Sequence, residues 1–249
     1  MKTQTILSHN WKLTDLTTNE EYTVLKMPAQ VHSILHQANV ISDKYIWGDA
    51  SDSDFITHHD YAYETVFIST IKGNRTFLRI DGLDTIADLY LNGSLIGHSE
   101  DYFLPFRVDI TKRLKEGENT LRVIFPAIRP IVEEVGKINP SPDRISDYRL
   151  LRKSFHDFTG YLGGKPDLLR VGIFTDVVLE TIDEAEITDV EVRYELNDTL
   201  STAGVEILAV SEGTCSLRTE VQDPEGKIVY SGPCGKKFSL NEIRLWNPR

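Results

Sequence analysis

The clearest structural signal in the sequence is Asp81-Gly-Leu-Asp-Thr-Ile-Ala-Asp-Leu-Tyr-Leu-Asn-Gly-Ser-Leu-Ile-Gly97, which predicts a β-hairpin. Leu89 and Leu91 supply apolar positions of the first strand, and the apolar pattern resumes at Leu95-Ile96. Asn92-Gly93 lies between them, and both residue types tolerate the positive φ angles that a two-residue type I′ turn requires. We therefore expect two antiparallel strands joined at Asn92-Gly93.

Further short strands are predicted on both sides of this hairpin, because short apolar runs are separated by turn residues. The clearest runs are 63–70, 75–80, 120–125 and 174–181. Helix is scarce, and the best candidate is 31–38, whose apolar residues fall on one helical face. Many short strands at regular spacing favour an all-β sandwich or jelly roll.

Residues 126–170 have a different character, because proline and glycine interrupt them repeatedly. These residues are Pro126, Pro130, Pro140, Pro142, Gly160, Gly163, Gly164 and Pro166. Ordered loops of such length are commonly functional. We expect this segment to be a loop that crosses one end of the sandwich.

A second series of alternating runs begins near residue 184. The runs are 187–196, 205–210 and 217–221, and the turn Asp223-Pro-Glu-Gly226 leads into Ile228-Val-Tyr230. This pattern predicts a separate small immunoglobulin-like sandwich. We therefore expect two domains, 1–183 and 184–249, of which the second is short for its fold and is expected to be incomplete.

The composition argues against several partners. The net charge is −11 and no stripe of Lys and Arg offsets it, so nucleic acid and anionic membranes are not expected. The sequence has no apolar run of the length that a transmembrane helix needs and no secretory signal pattern, so a cytoplasmic location is the expectation. Cys215 and Cys234 are then expected as reduced thiols. No metal site and no cofactor are predicted, and the oligomeric state is left open.

Other motifs follow one another along the chain. They are Met27-Pro-Ala-Gln-Val-His-Ser-Ile-Leu35, His59-Asp-Tyr-Ala-Tyr-Glu-Thr-Val-Phe67, Leu114-Lys-Glu-Gly-Glu-Asn-Thr-Leu121, Val171-Gly-Ile-Phe-Thr-Asp-Val-Val-Leu-Glu180 and Leu245-Trp-Asn-Pro248. Together with the hairpin, they resemble the sugar-binding N-terminal region of glycoside hydrolase family 2, closest to the β-mannosidase branch. The resemblance implies a galactose-binding-like jelly roll followed by a truncated immunoglobulin-like sandwich.

The same resemblance implies where the chemistry lies. Enzymes of this family are retaining and carry both catalytic glutamates on a β/α barrel, the third domain, so no catalytic residue is expected here. The implied role is a non-catalytic part that packs on the barrel and helps to shape its active site. The implied partners are a carbohydrate, as a β-glycoside, and the barrel of the same polypeptide. The alternative is a stand-alone carbohydrate-binding or protein-interaction module.

One loop departs from the family pattern. Where the family has Phe-Gly-Trp-Asp-Trp-Gly-Pro, this chain has Phe158-Thr-Gly-Tyr-Leu-Gly-Gly164. The sugar is therefore left open among mannoside, galactoside, glucuronide and glucosaminide. The loop supplies the substrate-proximal candidates, which are Arg152, Lys153, Asp157 and Tyr161.

Two interpretations of these candidates stay open. The cations Arg152 and Lys153 could hydrogen-bond a sugar hydroxyl or a carboxylate of the barrel, and Tyr161 could stack on a sugar. Alternatively, the cations form a structural ion pair with Asp147 or Asp157, and Tyr161 covers the end of the sandwich. Two Asn-Glu steps, Asn19-Glu20 and Asn241-Glu242, match the family's acid/base dipeptide and are interpreted as chance.

Overall fold

The computed structural model describes residues 2–42, 50–69, 75–138, 152 and 170–245. The chain divides into two compact units: one runs from Thr3 to Thr181, and the other begins at Ile182 and takes in Lys2. Strands dominate both units, so the predicted all-β class is confirmed. No helix in the described residues is both long enough and apolar enough to cross a membrane.

The first unit contains three sheets. In spatial order, the largest has β3 (Glu21–Val24), β2 (Trp11–Asp15), β5 (Tyr61–Ser69), β11 (Gly117–Phe125), β8 (Ala87–Leu91) and β9 (Ser94–Ser99). The second has β1 (Lys2–Ile6), β13 (Val177–Ile182), β6 (Arg75–Ile80) and β10 (Phe106–Asp109). A small third sheet has β4 (Ala29–Gln30), β12 (Gly172–Ile173) and β7 (Leu83–Asp84). Helix α1 is Val31–Gln37, α2 is Ile128–Ile138, and a 3-10 helix spans Ala50–His58.

The two larger sheets share one apolar core. Burial alternates residue by residue along β2, β8 and most of β11, so each of these strands turns one face inward. Leu13 and Val123 of the six-stranded sheet belong to the same buried cluster as Leu78 and Val177 of the four-stranded sheet. This arrangement is a β-sandwich, as the strand pattern predicted.

The hairpin that opened the sequence analysis is confirmed. Asn92 has φ 52° and Gly93 has φ 80°, which are the two positive angles of a type I′ turn. Leu89 pairs with Gly97 while Tyr90 pairs with Leu95, so Ile96 is the extra residue of a β-bulge. The bulge turns Ile96 into the core, whereas Leu95 is half exposed.

Helix α1 also agrees with its sequence pattern. Val31, Ile34 and Leu35 are buried, as the predicted helical face requires. Ser33 Oγ donates to the Gln30 carbonyl at 2.8 Å and accepts from the Gln30 backbone N–H at 3.2 Å. The second of these bonds satisfies a backbone N–H of the kind that the start of a helix leaves without a partner.

Two expectations about the chain between the strands were wrong. Residues 128–138 were expected within a long loop, but they form α2, whose Ile128 and Val132 enter the core. Pro130 does not prevent this helix, since a proline in the first turn loses no intrahelical hydrogen bond. The strand expected over 174–181 begins only at Val177. The rest of the expected loop, apart from Pro126, Ala127, Arg152 and Arg170, lies outside the described residues.

The second unit has two sheets. One contains β14 (Glu186–Leu196), β15 (Thr202–Glu212) and β18 (Phe238–Asn241), and the other contains β16 (Arg218–Gln222) and β17 (Ile228–Pro233). In the described residues β14 is an edge strand, and its Val190, Val192 and Tyr194 form an apolar stripe in which every side chain is more than half exposed. The immunoglobulin-like assignment of this unit stays a prediction.

Both cysteines of the second unit are free thiols. Cys215 Sγ lies 3.3 Å from Ser211 Oγ, and Cys234 Sγ lies 3.3 Å from the Ile207 carbonyl oxygen. The structure therefore agrees with the expectation of two reduced thiols.

One glycine is required for the small third sheet to form. Gly172 has φ 141°, and a Cβ atom there would lie 2.6 Å from Tyr63 Oη and 2.8 Å from Gln30 Cα. Both distances are shorter than van der Waals contact allows. The Tyr63 hydroxyl fills this space because it donates to the Ala29 carbonyl at 3.0 Å.

We expect Gly172→Ala to lower the free energy of unfolding by about 2–4 kcal/mol, since it adds a clash to a strained φ angle. Gly93→Ala is the matched control: its φ is also positive, 80°, but nothing lies within 4 Å of the added Cβ. The control should cost about 1 kcal/mol. Urea denaturation of both variants measures the difference, and equal losses would show that the close approach at Gly172 is unimportant.

Candidate functional site

The structure describes one of the four residues that the sequence predicted near a substrate. That residue is Arg152, whereas Lys153, Asp157 and Tyr161 lie outside the described residues. Their predicted roles stay predictions. The surroundings of Arg152 therefore define the candidate site.

Arg152 is attached to the connection between β9 and β10. Its Nη1 lies 3.5 Å from Asp101 Oδ2, and its carbonyl oxygen accepts a 3.1 Å hydrogen bond from the Tyr102 N–H. The Arg152 side chain is 71% exposed and that of Asp101 only 14%. An ion pair this open contributes little stability, so most of the guanidinium remains available to a partner from outside. The carboxylate beside Arg152 is that of Asp101; Asp147 and Asp157, named from sequence, lie outside the described residues.

Asp101 shapes the turn that follows it. Its Oδ1 accepts from the Phe103 N–H at 2.9 Å, and its carbonyl oxygen accepts from the Leu104 N–H at 3.4 Å. Local bonds of this kind are characteristic of Asp in turns. As a result, Phe103 and Leu104 turn outward and are 59% and 65% exposed.

Two further aromatic rings, those of Tyr102 and Phe174, lie next to the exposed side chain of Phe103. The Tyr102 ring meets Phe103 edge-on at 5.4 Å and Phe174 edge-on at 6.1 Å, and Arg170 lies 5.2 Å from the Phe174 ring centroid. Phe174 is held in place because its N–H donates to the Gly82 carbonyl at 2.8 Å. We refer to Asp101, Tyr102, Phe103, Leu104, Arg152, Arg170 and Phe174 together as the aromatic rim.

The aromatic rim combines exposed apolar side chains with cations and a carboxylate. Such a surface can contact a flat polar ligand through its rings and charges, or it can pack against another protein surface. Sequence reasoning found Arg152 but missed Phe103 and Leu104. The available signal was the run Tyr102-Phe-Leu-Pro105, which is apolar, too short for a strand and ended by proline.

The two Asn-Glu steps lie on the surface of separate units. Glu20 is exposed in the turn between β2 and β3 and accepts a 2.5 Å hydrogen bond from the Tyr22 hydroxyl. Glu242 is exposed just after β18 and has φ 55°. A catalytic acid needs a cleft that raises its pKa and a second carboxyl group nearby. Surface turns do not supply these conditions, which supports the interpretation of both steps as chance.

Glu180 is one of two acids in the described residues, with Asp84, that are inaccessible to solvent. Its Oε1 accepts from Gln4 Nε2 at 3.0 Å and from Arg79 Nη1 at 3.2 Å, and its Oε2 accepts from Arg107 Nε at 3.0 Å. Charge-assisted hydrogen bonds of this kind are strong, and they hold the strands that carry them together. Glu180 is therefore structural, and the sequence, which showed only an acid within a strand, did not reveal it.

The same contacts fix the charge of Arg79. The pKa of Arg79 is raised above its usual value. The largest cause is the side-chain hydrogen bond to Asp81, and the second is the hydrogen bond to Glu180. The guanidinium therefore remains charged at every pH at which the protein is folded.

In the described residues, no group of three His, Cys, Asp or Glu side chains is arranged to hold a metal ion. On α1, His36 Nδ1 lies 3.3 Å from the Ile41 carbonyl oxygen, a contact that stabilises the end of the helix.

Comparison with known families gives one match that covers most of the chain. The family model described as "Glycosyl hydrolase 2 galactose-binding domain-like" matches residues 11–175. The matched segment contains the hairpin, the whole six-stranded sheet and every residue of the aromatic rim.

Similar curated proteins are named as glycosidases. Beta-mannosidase B of Aspergillus fumigatus is 29% identical, and the alignment covers 97% of this chain and 31% of that protein. Beta-galactosidase of Clostridium acetobutylicum is 28% identical over 71% of this chain and 18% of that protein. The chain thus spans about a third of the length of the β-mannosidases it matches.

Among solved structures, the β-D-mannosidase of Dictyoglomus thermophilum superposes with a TM-score of 0.80 at 23% identity. The superposition covers 99% of this chain and 32% of that protein. At this identity the likeness establishes the fold.

We expect Glu180→Gln to lower the free energy of unfolding by about 3 kcal/mol, because it leaves two guanidinium groups facing a neutral amide. Glu21→Gln is the matched control, since Glu21 pairs with Lys12 at 2.7 Å with both side chains largely exposed. The control should cost less than about 1 kcal/mol. Thermal or urea unfolding compares the two, and similar losses would contradict a structural role for Glu180.

Proposed function

The chain belongs to the family of glycosyl hydrolase 2 galactose-binding domain-like proteins, and from this membership we propose that it is the non-catalytic N-terminal part of a retaining exo-β-glycosidase. In this role the sandwich packs on a catalytic barrel supplied by further residues of the same polypeptide. The observation that carries the proposal is the match of nearly the whole chain to about a third of each β-mannosidase relative.

The described acids support a non-catalytic role. Retaining glycosidases need two carboxyl groups about 5 Å apart on either side of the scissile bond. Glu180 is saturated by Arg79 and Arg107, and the two Asn-Glu acids belong to surface turns. We therefore propose that the catalytic pair consists of acids other than these three, carried by the barrel.

The aromatic rim is the proposed contact with the barrel and with the sugar bound there. Phe103 and Leu104 supply apolar area that is exposed in this chain, and Arg152 supplies a cation next to it. An exposed apolar patch bordered by charges is typical of an interaction surface. Lys153, Asp157 and Tyr161 are proposed to extend this surface.

The proposed sugar is a β-mannoside, because the relatives that align with nearly the whole chain are named β-mannosidases. A β-galactoside is the second candidate, on the basis of the Clostridium acetobutylicum relative. A cytoplasmic location is likewise proposed, on the sequence alone.

The 249-residue chain by itself should not hydrolyse nitrophenyl β-mannoside, β-galactoside or β-glucuronide faster than buffer does. Release of nitrophenol measures this directly. Turnover that persists through purification and scales with the amount of this chain would contradict the proposal.

The role of the aromatic rim is tested in a chimera in which this chain replaces the aligned third of Aspergillus fumigatus β-mannosidase B. Phe103→Ala combined with Leu104→Ala should raise KM or lower Tm relative to the unsubstituted chimera, because apolar contact with the barrel is lost. Leu25→Ala is the control, since Leu25 is 68% exposed and lies outside the aromatic rim. Equal effects of rim and control substitutions would argue against this contact.

A further inference from the structure

The outer face of the six-stranded sheet carries a groove that is distinct from the aromatic rim. The groove is open to solvent and encloses about 500 Å³. Its walls come from strands β5, β8 and β11 and from the hairpin turn, with the side chains of Glu64, Tyr90, Asn92, Lys115, Thr120, Arg122 and Ile124. The six-stranded sheet therefore has one face in the core and another that forms a concave surface.

Three side chains form a row across the floor of this groove. Arg122 of β11 stands directly opposite Glu64 of β5 on one side and Tyr90 of β8 on the other. All three are half-buried, and their neighbours along the strands, such as Val123 and Leu89, point into the core. The row thus presents a carboxylate, a guanidinium and a phenol ring to the same space.

The guanidinium in this row keeps one buried donor without a hydrogen-bond partner. Across the described part of the chain, Arg122 Nε is buried and has no hydrogen-bond partner. Arg79 and Arg107 of the other sheet, by contrast, are bonded to Glu180. Leaving a donor without a partner has a free-energy cost that a ligand can recover.

The end of the groove is rigid. Asn92 Nδ2 donates to Asn119 Oδ1 at 2.9 Å, and Asn92 Oδ1 accepts from the Thr120 N–H at 3.1 Å. The type I′ turn at Asn92-Gly93 therefore also builds a hydrogen-bonded wall beside Tyr90. Because little has to be ordered on binding, such a wall favours affinity.

The chemistry of the row selects the class of ligand. An aromatic face contacts the apolar face of a sugar ring, while a carboxylate and a guanidinium exchange hydrogen bonds with neighbouring hydroxyls. The groove carries one carboxylate, that of Glu64, and two cations, Lys115 and Arg122. Its charges therefore nearly balance, which suits an uncharged ligand. The net charge of −11 argues against a polyanion such as nucleic acid.

We propose that this groove binds an uncharged hexopyranose chain, with the ring of Tyr90 against one sugar and with Glu64 and Arg122 bonded to its hydroxyls. The site lies away from the rim and holds a longer glycan while another part of the molecule acts on its end. The choice of a β-linked glycan rests on the proposed function. The existence of the groove and the chemistry of its side chains are independent of that function.

The test is titration calorimetry of the full 249-residue chain with β-mannohexaose. Saturable binding is expected, and Tyr90→Ala should weaken it at least about tenfold. Arg122→Lys keeps the positive charge but removes the planar fork, and should also weaken binding. Ile68→Ala is the matched control, because Ile68 lies on the same strand as Glu64, is 71% exposed and does not line the groove. The affinity of the Ile68→Ala variant for β-mannohexaose should equal that of the unsubstituted chain.

Three results would overturn the proposal. One is the absence of binding up to about 10 mM glycan, the weak limit for a useful site. The second is binding that Phe103→Ala abolishes and Tyr90→Ala leaves unchanged, which would place the sugar on the aromatic rim. The third is a preference for oligogalacturonate over β-mannohexaose, which would identify an acidic glycan instead. Because binding is measured here and turnover in the earlier assay, failure of one proposal is distinguishable from failure of the other.

Discussion

A single buried hydroxyl, that of Tyr63, imposes the constraint on which the end of the sandwich depends. Tyr63 points into the core from β5, and burial raises the pKa of its hydroxyl well above the usual value, so it remains a neutral donor. Its proton must find an acceptor, and the Ala29 carbonyl supplies one at 3.0 Å. Only glycine leaves room beside this bond, which explains Gly172 and the pairing of β12 with β4 and β7. The position of Phe174, and with it the aromatic rim, follows from that pairing.

Polar side chains in the first unit fall into two groups that do different work. In one group every strong donor and acceptor is matched: Glu180 is an example, and so is Asp15, whose Oδ2 lies 2.7 Å from His59 Nδ1 and whose Oδ1 accepts from the Thr17 N–H. These contacts join strands. In the other group, Glu64 and Arg122 face each other on an open sheet face, and the guanidinium retains a donor without a partner. The first group stabilises the fold, and the second group forms the site that we propose for recognition.

How far the sequence predicts this structure depends on how local each signal is. The hairpin follows from Asn92-Gly93, and the inward faces of β2, β8 and β11 follow from alternation, because both signals lie within a few residues. Helix α2 was missed because Pro130 was taken for a breaker, whereas its place in the first turn makes it harmless. Glu180 could not be recognised, since its partners come from β1, β6 and β10 and meet only after folding. The groove shares this difficulty: its three floor residues lie on three strands.

The apolar stripe of β14 determines how this polypeptide behaves in solution when it is by itself. A long edge strand with β-branched side chains and unsatisfied amides is a template on which other chains add, as in fibrils. Mutual repulsion between molecules of charge −11 opposes that addition. Dissolved ions screen this repulsion but leave apolar attraction intact. We therefore expect the colloidal stability of the polypeptide to depend on its negative charge and to decrease as ionic strength rises.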